Sequence, residues 1–389
     1  MKLPIYLDYH ATTPVDPRVL QAMLPYFTEN FGNPASHNHS FGWTGATAVE
    51  NARKHVARLI NASPKEIVFT AGASESDNLA IKGVANRYRD RGDHIVTLPT
   101  EHKAVLHSAE RLAQEGFRVT YVRVQSDGLV DPADLERAIT DKTLLVSVMA
   151  AHNEIGVIQP LAEIGRICRA RGVLFHTDAA QATGKIPLDV EAMQIDLLSI
   201  AGHKMYGPKG IGALYVRQRG RRVELTPVLD GGGHEGGLRA GTLNVPGIVG
   251  LGQACGICRL EMPQDASLLS ALRDRLKDGL LASLPGIHVN GSLEHRLPNN
   301  LNVSFPGVDV PTLLTALNDI ALSMGSACSS GSPEPSYVLR ALGVSDEIAS
   351  TPLRFGLGRF NTAEEIDFTL GRVVETVKRL RDMGKTTAA

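Results

Sequence analysis

Short apolar runs alternate with longer amphipathic stretches through the first two thirds of the chain, and this rhythm restricts the fold more than any other feature. The runs at residues 67–70, 94–98, 119–124, 144–149, 174–176, 197–200 and 213–216 read as strands. Stretches such as 75–89 and 162–170 carry helical periodicity between them. Strand–helix alternation predicts an α/β fold with a doubly wound, mostly parallel sheet. A helical stretch at 245–284 follows, then an apolar run at 301–305 and helical segments at 311–319 and 363–383. That tail predicts a smaller α+β domain, with the boundary near residues 255–265. With 389 residues, 43% of them hydrophobic, the chain can fill two cores.

Charge and cysteine usage narrow the function class. Lys+Arg 40 against Asp+Glu 41 leaves a net charge of -1, so no global field favours nucleic acid or an anionic membrane. The basic group Arg217, Arg219, Arg221 and Arg222 is local and is expected on a solvated turn, with a docking patch as the other reading. Four cysteines do not make a disulfide framework in a chain of this length. No apolar stretch approaches the roughly 18–20 residues that a membrane span needs. The start, Met1 to Asp8, leaves no room for a signal peptide. A soluble protein of a reducing cytoplasm is expected.

Polar residues stand just beyond the carboxyl ends of successive strands, where ligands of open α/β sheets bind. His102 follows the second run, Asn153 the fourth, Asp178 and Gln181 the fifth, and Lys204 the sixth. Lys204 lies in G-H-K-M-Y-G-P-K-G, a lysine between glycines at a strand exit. It is either an ordinary loop lysine or a desolvated amine of the kind that forms Schiff bases with carbonyl compounds, pyridoxal phosphate (PLP) among them. The turn at 71–74, ending in Ser74 before a helix expected from Glu75 onward, either caps that helix or binds a phosphate through Ser74 and backbone N–H groups. A Schiff-base lysine and a phosphate site suit the two ends of PLP. Asp178 supplies the carboxylate that keeps its ring nitrogen protonated.

Other elements are less decisive alone. The glycine-rich segments 231–235 and 239–242 read as a flexible polar loop. Cys328 lies among small residues in G-S-A-C-S-S-G-S-P, which suits an exposed, reactive thiol on a mobile loop. Cys255 and Cys258 form a lone C-x-x-C in an apolar helical run, and with Cys168 they read as core. Arg354, flanked by Leu353 and Phe355, is either half of a structural ion pair or a clamp for a substrate carboxylate.

Taken in order, these segments resemble the class V aminotransferase family and, within it, the NifS/IscS-type cysteine desulfurases. The resemblance rests on Y-L-D-Y-H-A-T-T-P at 6–14, F-G-N-P-A-S at 31–36, G-A-S-E-S-D-N-L-A at 72–80 and T-E-H-K-A-V at 100–105. It continues through N-E-I-G at 153–156, H-T-D-A-A-Q at 176–181, G-H-K-M-Y-G-P-K-G at 202–210, R-A-G-T at 239–242, G-S-A-C-S-S at 325–330 and E-P-S-Y-V-L-R-A-L-G at 334–343.

The resemblance implies a fold-type I PLP-dependent transferase. Its large domain, with a mostly parallel seven-stranded sheet, would span 15–260, and the smaller α+β domain 1–14 and 261–389, carrying the Cys328 loop. It implies that Lys204 holds PLP, that His102 stacks on the ring and moves protons, that Asp178 pairs with the ring nitrogen and that Gln181 bonds the ring hydroxyl. Ala73, Ser74 and His203 would hold the phosphate, with Thr242 reaching it from the other subunit of a homodimer. Asn153 would contact the cofactor and, with Arg354, the substrate carboxylate.

Cys328 would attack the sulfur of L-cysteine and carry it as a persulfide to an acceptor, such as an iron–sulfur scaffold or a tRNA-thiolation protein. In a scaffold complex it could help ligate a nascent iron–sulfur cluster. Selenocysteine lyase and class V aminotransferase are the alternative activities, and an aminotransferase has no need of Cys328. The chain departs from the family pattern at His10, usually Ser or Asn, at Ala201, usually Ser, and at Gly356. It ends at 389 with a shorter tail than the housekeeping iron–sulfur members usually carry.

Overall fold

The computed structural model describes residues 2–325 and 335–387. Four elements lead into the main sheet: β1 (Ile5–Tyr6), α1 (Pro17–Met23), α2 (Pro25–Thr28) and α3 (Ser40–Leu59). The sheet region runs β2 (Ile67–Thr70), α4 (Ala73–Arg87), β3 (His94–Thr97), α5 (Lys103–Gln114), β4 (Arg118–Tyr121), α6 (Pro132–Ala138), β5 (Thr143–Ser147), α7 (Leu161–Ala170), β6 (Leu174–Asp178), β7 (Leu197–Ala201) and β8 (Gly212–Val216). After it come α8 (Val245–Ser283), β9 (His288–Val289), β10 (Asn300–Ser304), α9 (Val310–Ala316), β11 (Ile320–Ala321), α10 (Tyr337–Ala341), α11 (Asp346–Ser350), β12 (Pro352–Gly356) and α12 (Ala363–Thr387).

The seven predicted strands form one sheet in the order β2-β8-β7-β6-β5-β3-β4. It is α/β and mostly parallel; β8 alone runs against its neighbours β2 and β7. All strands but the edge strand β4 are buried throughout. Helices cover both faces, which is why these strands read as continuous apolar runs. Most strand ends differ from the sequence pattern, by one to three residues, and two of the differences have a visible cause. β4 ends at Tyr121, because Val122 and Val124 are buried in the connection beyond it. β6 runs on to Asp178, because Thr177 and Asp178 are buried although polar.

Two glycines set close approaches that shape the site. A Cβ on Gly252 of α8 would sit 2.6 Å from the Ala52 backbone, so glycine lets α8 lie against α3. A Cβ on Gly212 would sit 2.7 Å from the Gly72 backbone, so glycine brings the start of β8 against the turn that opens α4.

A separate apolar cluster gathers Ile5 and Leu7 with Leu269, Leu276, Val303, Phe305, Leu353, Phe355 and Val373. It lies on the antiparallel sheet β12-β10-β9 and the parallel pair β1-β11. α8 serves both cores: Cys255 and Cys258 pack on the large-sheet side, and Leu269 to Leu280 on the other. Pro263 lies between those two parts of the helix.

The arginine group meets the expectation of a solvated turn only in part: Arg219 and Arg222 are exposed, but Arg217 and Arg221 are not. Arg217 is buried, with its guanidinium on the Val190 and Ile195 carbonyls (2.7 and 3.0 Å) and on Glu191 (2.8 Å). Arg219 pairs with buried Glu66, and Arg221 donates to the Gly172 and Val173 carbonyls. The cause is Asp196, a buried carboxylate at the sheet end within ion-pair distance of Arg169, Arg217 and Arg221. Among the described residues no helix is long and apolar enough to cross a membrane.

Candidate active site

The exits of β2, β5, β6 and β7 and the start of α5 open onto one cavity of about 630 Å³. Nine of the residues singled out in the sequence line it: Ala73, Ser74, His102, Asn153, Asp178, Gln181, His203, Lys204 and Arg354. Thr242 sits exposed on the loop before α8 and does not line this cavity. Cys328 lies outside the described residues.

Lys204 ends a short turn that continues β7. Its ammonium donates to the carbonyls of His10 and Ala11, the latter at 2.8 Å. The N-terminal segment is held there by Thr13, whose amide and hydroxyl both donate to the His203 carbonyl (2.9 and 3.1 Å). His203 Nδ1 meets the Thr12 hydroxyl at 3.1 Å. Burial, with Lys204 beside it, pushes His203 down to about 4, so the ring is neutral.

α4 opens against the same cavity. It starts at Ala73, two residues earlier than the sequence pattern suggested, so Ser74 is its second residue and not its cap. The cap position is Gly72, and no side chain caps the first turn. The N-terminus of a 15-residue helix therefore faces the cavity with no side chain capping its first amides, which suits an anion, although Glu75 places a carboxylate in the first turn.

His102 caps α5, its Nδ1 accepting the Ala104 amide at 3.2 Å, which places the ring proton on Nε2. Burial lowers its pKa, while Asp178 pulls the other way. Asp178 accepts the Ala180 amide at 2.9 Å and is 5% exposed. Gln181 is fixed from both sides: its amide donates to the His10 carbonyl (2.9 Å), and its Oε1 accepts from Lys185 (3.1 Å) and faces His10 Nδ1 (2.9 Å). The imidazole at position 10 thus holds Gln181. Neither His10 nor Lys185 carried a recognisable signal for this role, apart from His10 breaking the family pattern.

Arg354 on β12 is 1% exposed. It donates to the Asn153 carbonyl (3.0 Å) and pairs with Asp8 (2.8 Å), so the ion-pair reading holds, with the side chain at the wall of the cavity. Its Nε and Asn153 Oδ1 are buried without a hydrogen-bond partner among the described residues. A carboxylate would satisfy the orphaned donor, and an N–H donor such as an ammonium the orphaned acceptor, and an amino acid carries both groups.

Beneath this floor lies a second acid. Atoms of Asp77, His102 and Asp178 lie within 4.8 Å of one another. Two unit negative charges that close repel by about 3 kcal/mol at an effective dielectric of about 20. Burial, then Asp178, pushes the Asp77 carboxyl well above its usual range.

The glycine-rich loop is anchored at two points. Glu235 accepts the Phe69 amide (2.7 Å) on edge strand β2 and pairs with Arg53 (2.7 Å), and Arg239 pairs with Glu75 (3.1 Å). Cys168, Cys255 and Cys258 are buried and outside any disulfide, with burial raising their thiols, as a core role requires.

The residues present fit PLP. An uncapped helix start with Ser74 and His203 suits its phosphate, Asp178 its ring nitrogen, Gln181 its ring hydroxyl, and Lys204 its aldehyde.

Comparisons with known proteins agree in direction. The family description "Aminotransferase class-V" matches residues 5–368. The cysteine desulfurase IscS of Anaeromyxobacter dehalogenans (strain 2CP-C) is 59% identical over 383 residues, covering 98% of this chain and 95% of that protein. The cysteine desulfurase IscS of Rickettsia bellii (strain OSU 85-389) is 54% identical over 381 residues, covering 98% and 93%. Among solved structures, a NifS-like protein superposes with a TM-score of 0.90 at 41% identity, covering 97% of this chain and 100% of that one. A structure described as SspA in complex with cysteine superposes with a TM-score of 0.81 at 39% identity, covering 92% and 100%.

Proposed function

The chain belongs to the class V aminotransferase family, whose members depend on PLP, and from that premise we propose that it is a cysteine desulfurase. It takes the sulfur of L-cysteine, releases L-alanine and holds the sulfur on Cys328 as a persulfide for an acceptor protein. The observation that carries the reading is the single cavity in which Lys204, Asp178, Gln181, Asn153 and Arg354 converge, in a chain similar over nearly its whole length to cysteine desulfurases.

Bound in this cavity, PLP supplies an electron sink for the pair released when the substrate loses its Cα proton. The chain's own residues do the rest. Arg354 and Asn153 orient the substrate carboxylate at the small-sheet side. The carbonyls of His10 and Ala11 hold the Lys204 amine inside the cavity, where its Nζ would take the Cα proton. Asp178 holds the proton on the ring nitrogen, and Gln181, fixed by His10 and Lys185, bonds the ring hydroxyl. His102 lines the same cavity with Nδ1 engaged by the Ala104 amide, so its Nε2 would be the atom that passes protons. The α4 N-terminus, Ser74 and His203 hold the phosphate.

The sulfur step balances without an outside oxidant. The Cys328 thiolate bonds to the substrate sulfur as the substrate C–S bond breaks. The pair of that bond stays with carbon, which is protonated to give alanine. Cysteine plus a thiol thus becomes alanine plus a persulfide.

The active unit in this reading is a homodimer in which Thr242 of one protomer serves the phosphate site of the other. The chain divides at residues 15–260 and at 1–14 with 261–389, and it works in the cytoplasm. The acceptor is an iron–sulfur scaffold or a tRNA-thiolation protein. Incubating the purified holoenzyme with L-cysteine and a thiol reductant tests the function. Equal amounts of alanine and sulfide are expected, and no alanine from protein that retains PLP would refute it.

A further inference from the structure

Asp77 has no part in the reaction as described, yet it occupies a costly position. It lies on α4 over the large sheet, fully buried, and neither of its oxygens has a well-formed hydrogen bond among the described residues, although the Ser199 hydroxyl is near enough to act on it. A polar layer crosses the sheet beneath it. Thr97 on β3 donates to the Ser147 carbonyl (2.8 Å), the Ser147 hydroxyl meets His176 Nδ1 (2.8 Å), and His176 Nε2 meets the Ser199 hydroxyl (3.1 Å). The His176 ring comes within 3.6 Å of Asp77 Oδ1 but is spoken for at both nitrogens by the two serines.

The charges that face Asp77 offer it no cation. Asp178 on β6 and Glu101 before α5 are acids, and both act to disfavour a second negative charge. His176 and His102 have pKa values lowered by burial, so neither ring offers a positive charge at neutral pH. A buried carboxylate whose acting donor is the Ser199 hydroxyl, already engaged by His176, and which has acids beside it, is poorly placed to keep its charge. Burial of a polar layer of this kind is tolerated when its members are neutral and mutually satisfied.

We propose that Asp77 is held as an uncharged carboxylic acid in the folded protein, a positioning residue whose retained proton leaves the negative charge on Asp178 alone. The inference deepens the proposed function and rests on it in one respect, the reading of Asp178 as partner of the cofactor's ring nitrogen. With Asp77 neutral, the field at that nitrogen is set by a single carboxylate, fixed by its own backbone contact to Ala180. The chemistry of the sink then depends on one charge, not on a pair that must share protons.

The test counts that proton in the apoprotein. An aspartate in an unfolded chain titrates at about 3.9, so at pH 7 it releases on unfolding whatever proton it held when folded. Wild type and Asp77→Asn are unfolded by urea in weakly buffered solution with an indicator dye. Wild type is expected to release about one proton more than the variant, because groups that do not interact with Asp77 cancel in the difference. Equal release by the two proteins would overturn the proposal.

If Asp77→Asn does not fold, infrared spectroscopy of wild type with 13C at its aspartate side-chain carboxyls decides alone. Folded protein at pH 8 is expected to show the carbonyl stretch of a protonated aspartic acid that vanishes on unfolding; its absence would overturn the proposal. Neither readout involves the cofactor. A failure of the ring-nitrogen reading would appear elsewhere, as unaltered PLP affinity in Asp178→Asn, and would leave both readouts in place.

Discussion

Lys185 offers the most quantitative test of how the floor of the cavity is built. Its residue surface is only part-buried, but its amine is enclosed, donating to the backbone carbonyl and Oε1 of Gln181 at 3.1 Å each. Burial, with Lys204 close by, lowers it to about 7 from the usual lysine value. In an unfolded chain a lysine titrates at about 10.4. Below pH 7 both states hold the proton, and the folded protein carries the full cost of an enclosed ammonium. Between pH 7 and about 10 the unfolded chain keeps a proton that the folded protein has lost, so the unfolded state binds more protons and stability rises with pH.

The slope reaches about 1.4 kcal/mol per pH unit once the folded-state amine has lost its proton, which gives wild type about 2 kcal/mol between pH 7 and 9 and about 3 kcal/mol from pH 6. Lys185→Met lacks this titration. Urea unfolding of the two apoproteins should therefore show the variant's advantage over wild type shrinking by about 3 kcal/mol from pH 6 to pH 9. Two curves that stay parallel across that range would mean that Lys185 is solvated, and the account of Gln181 held by an enclosed amine would fail.

Further outcomes follow from the same geometry. Lys204→Ala should purify without the visible absorption of bound PLP and form no alanine from L-cysteine; unchanged absorption would remove Lys204 from the cofactor. Arg354→Met should raise KM for L-cysteine by roughly 10²- to 10³-fold, the loss expected for a buried charged hydrogen-bond partner. Arg354→Lys should recover only part of it, because a lysine cannot reproduce the planar fork that also reaches Asp8 and Asn153. Near-wild-type KM in Arg354→Met would restrict that arginine to its ion pair.

What the sequence disclosed follows from what leaves a local signal. Strands buried on both faces read as unbroken apolar runs, so the seven strands of the main sheet were legible, and so were Lys204, Asp178 and Asn153 at their exits. The two-residue strands at Ile5–Tyr6, His288–Val289 and Ile320–Ala321 are too short to carry a period. Long-range contacts left no trace either. His10 meets Gln181 171 residues away, and Arg354 meets Asp8 across 346. Arg217 looked solvated because its partner, Asp196, lies in another stretch of chain. Ser74 looked like a cap because serine usually is one, whereas here Gly72 takes that position. Asp77 sits within a helical run whose pattern gives no hint that its carboxyl points at another acid.

The central claim is that sulfur leaves L-cysteine through Cys328, and one comparison tests it most directly. Wild type and Cys328→Ala, each loaded with PLP, are given L-cysteine, and alanine is quantified alongside mass spectrometry for sulfur added to Cys328. Wild type should release alanine and carry one extra sulfur on Cys328, while the variant should keep its cofactor and release essentially no alanine. Alanine formed by Cys328→Ala at the wild-type rate would contradict the account.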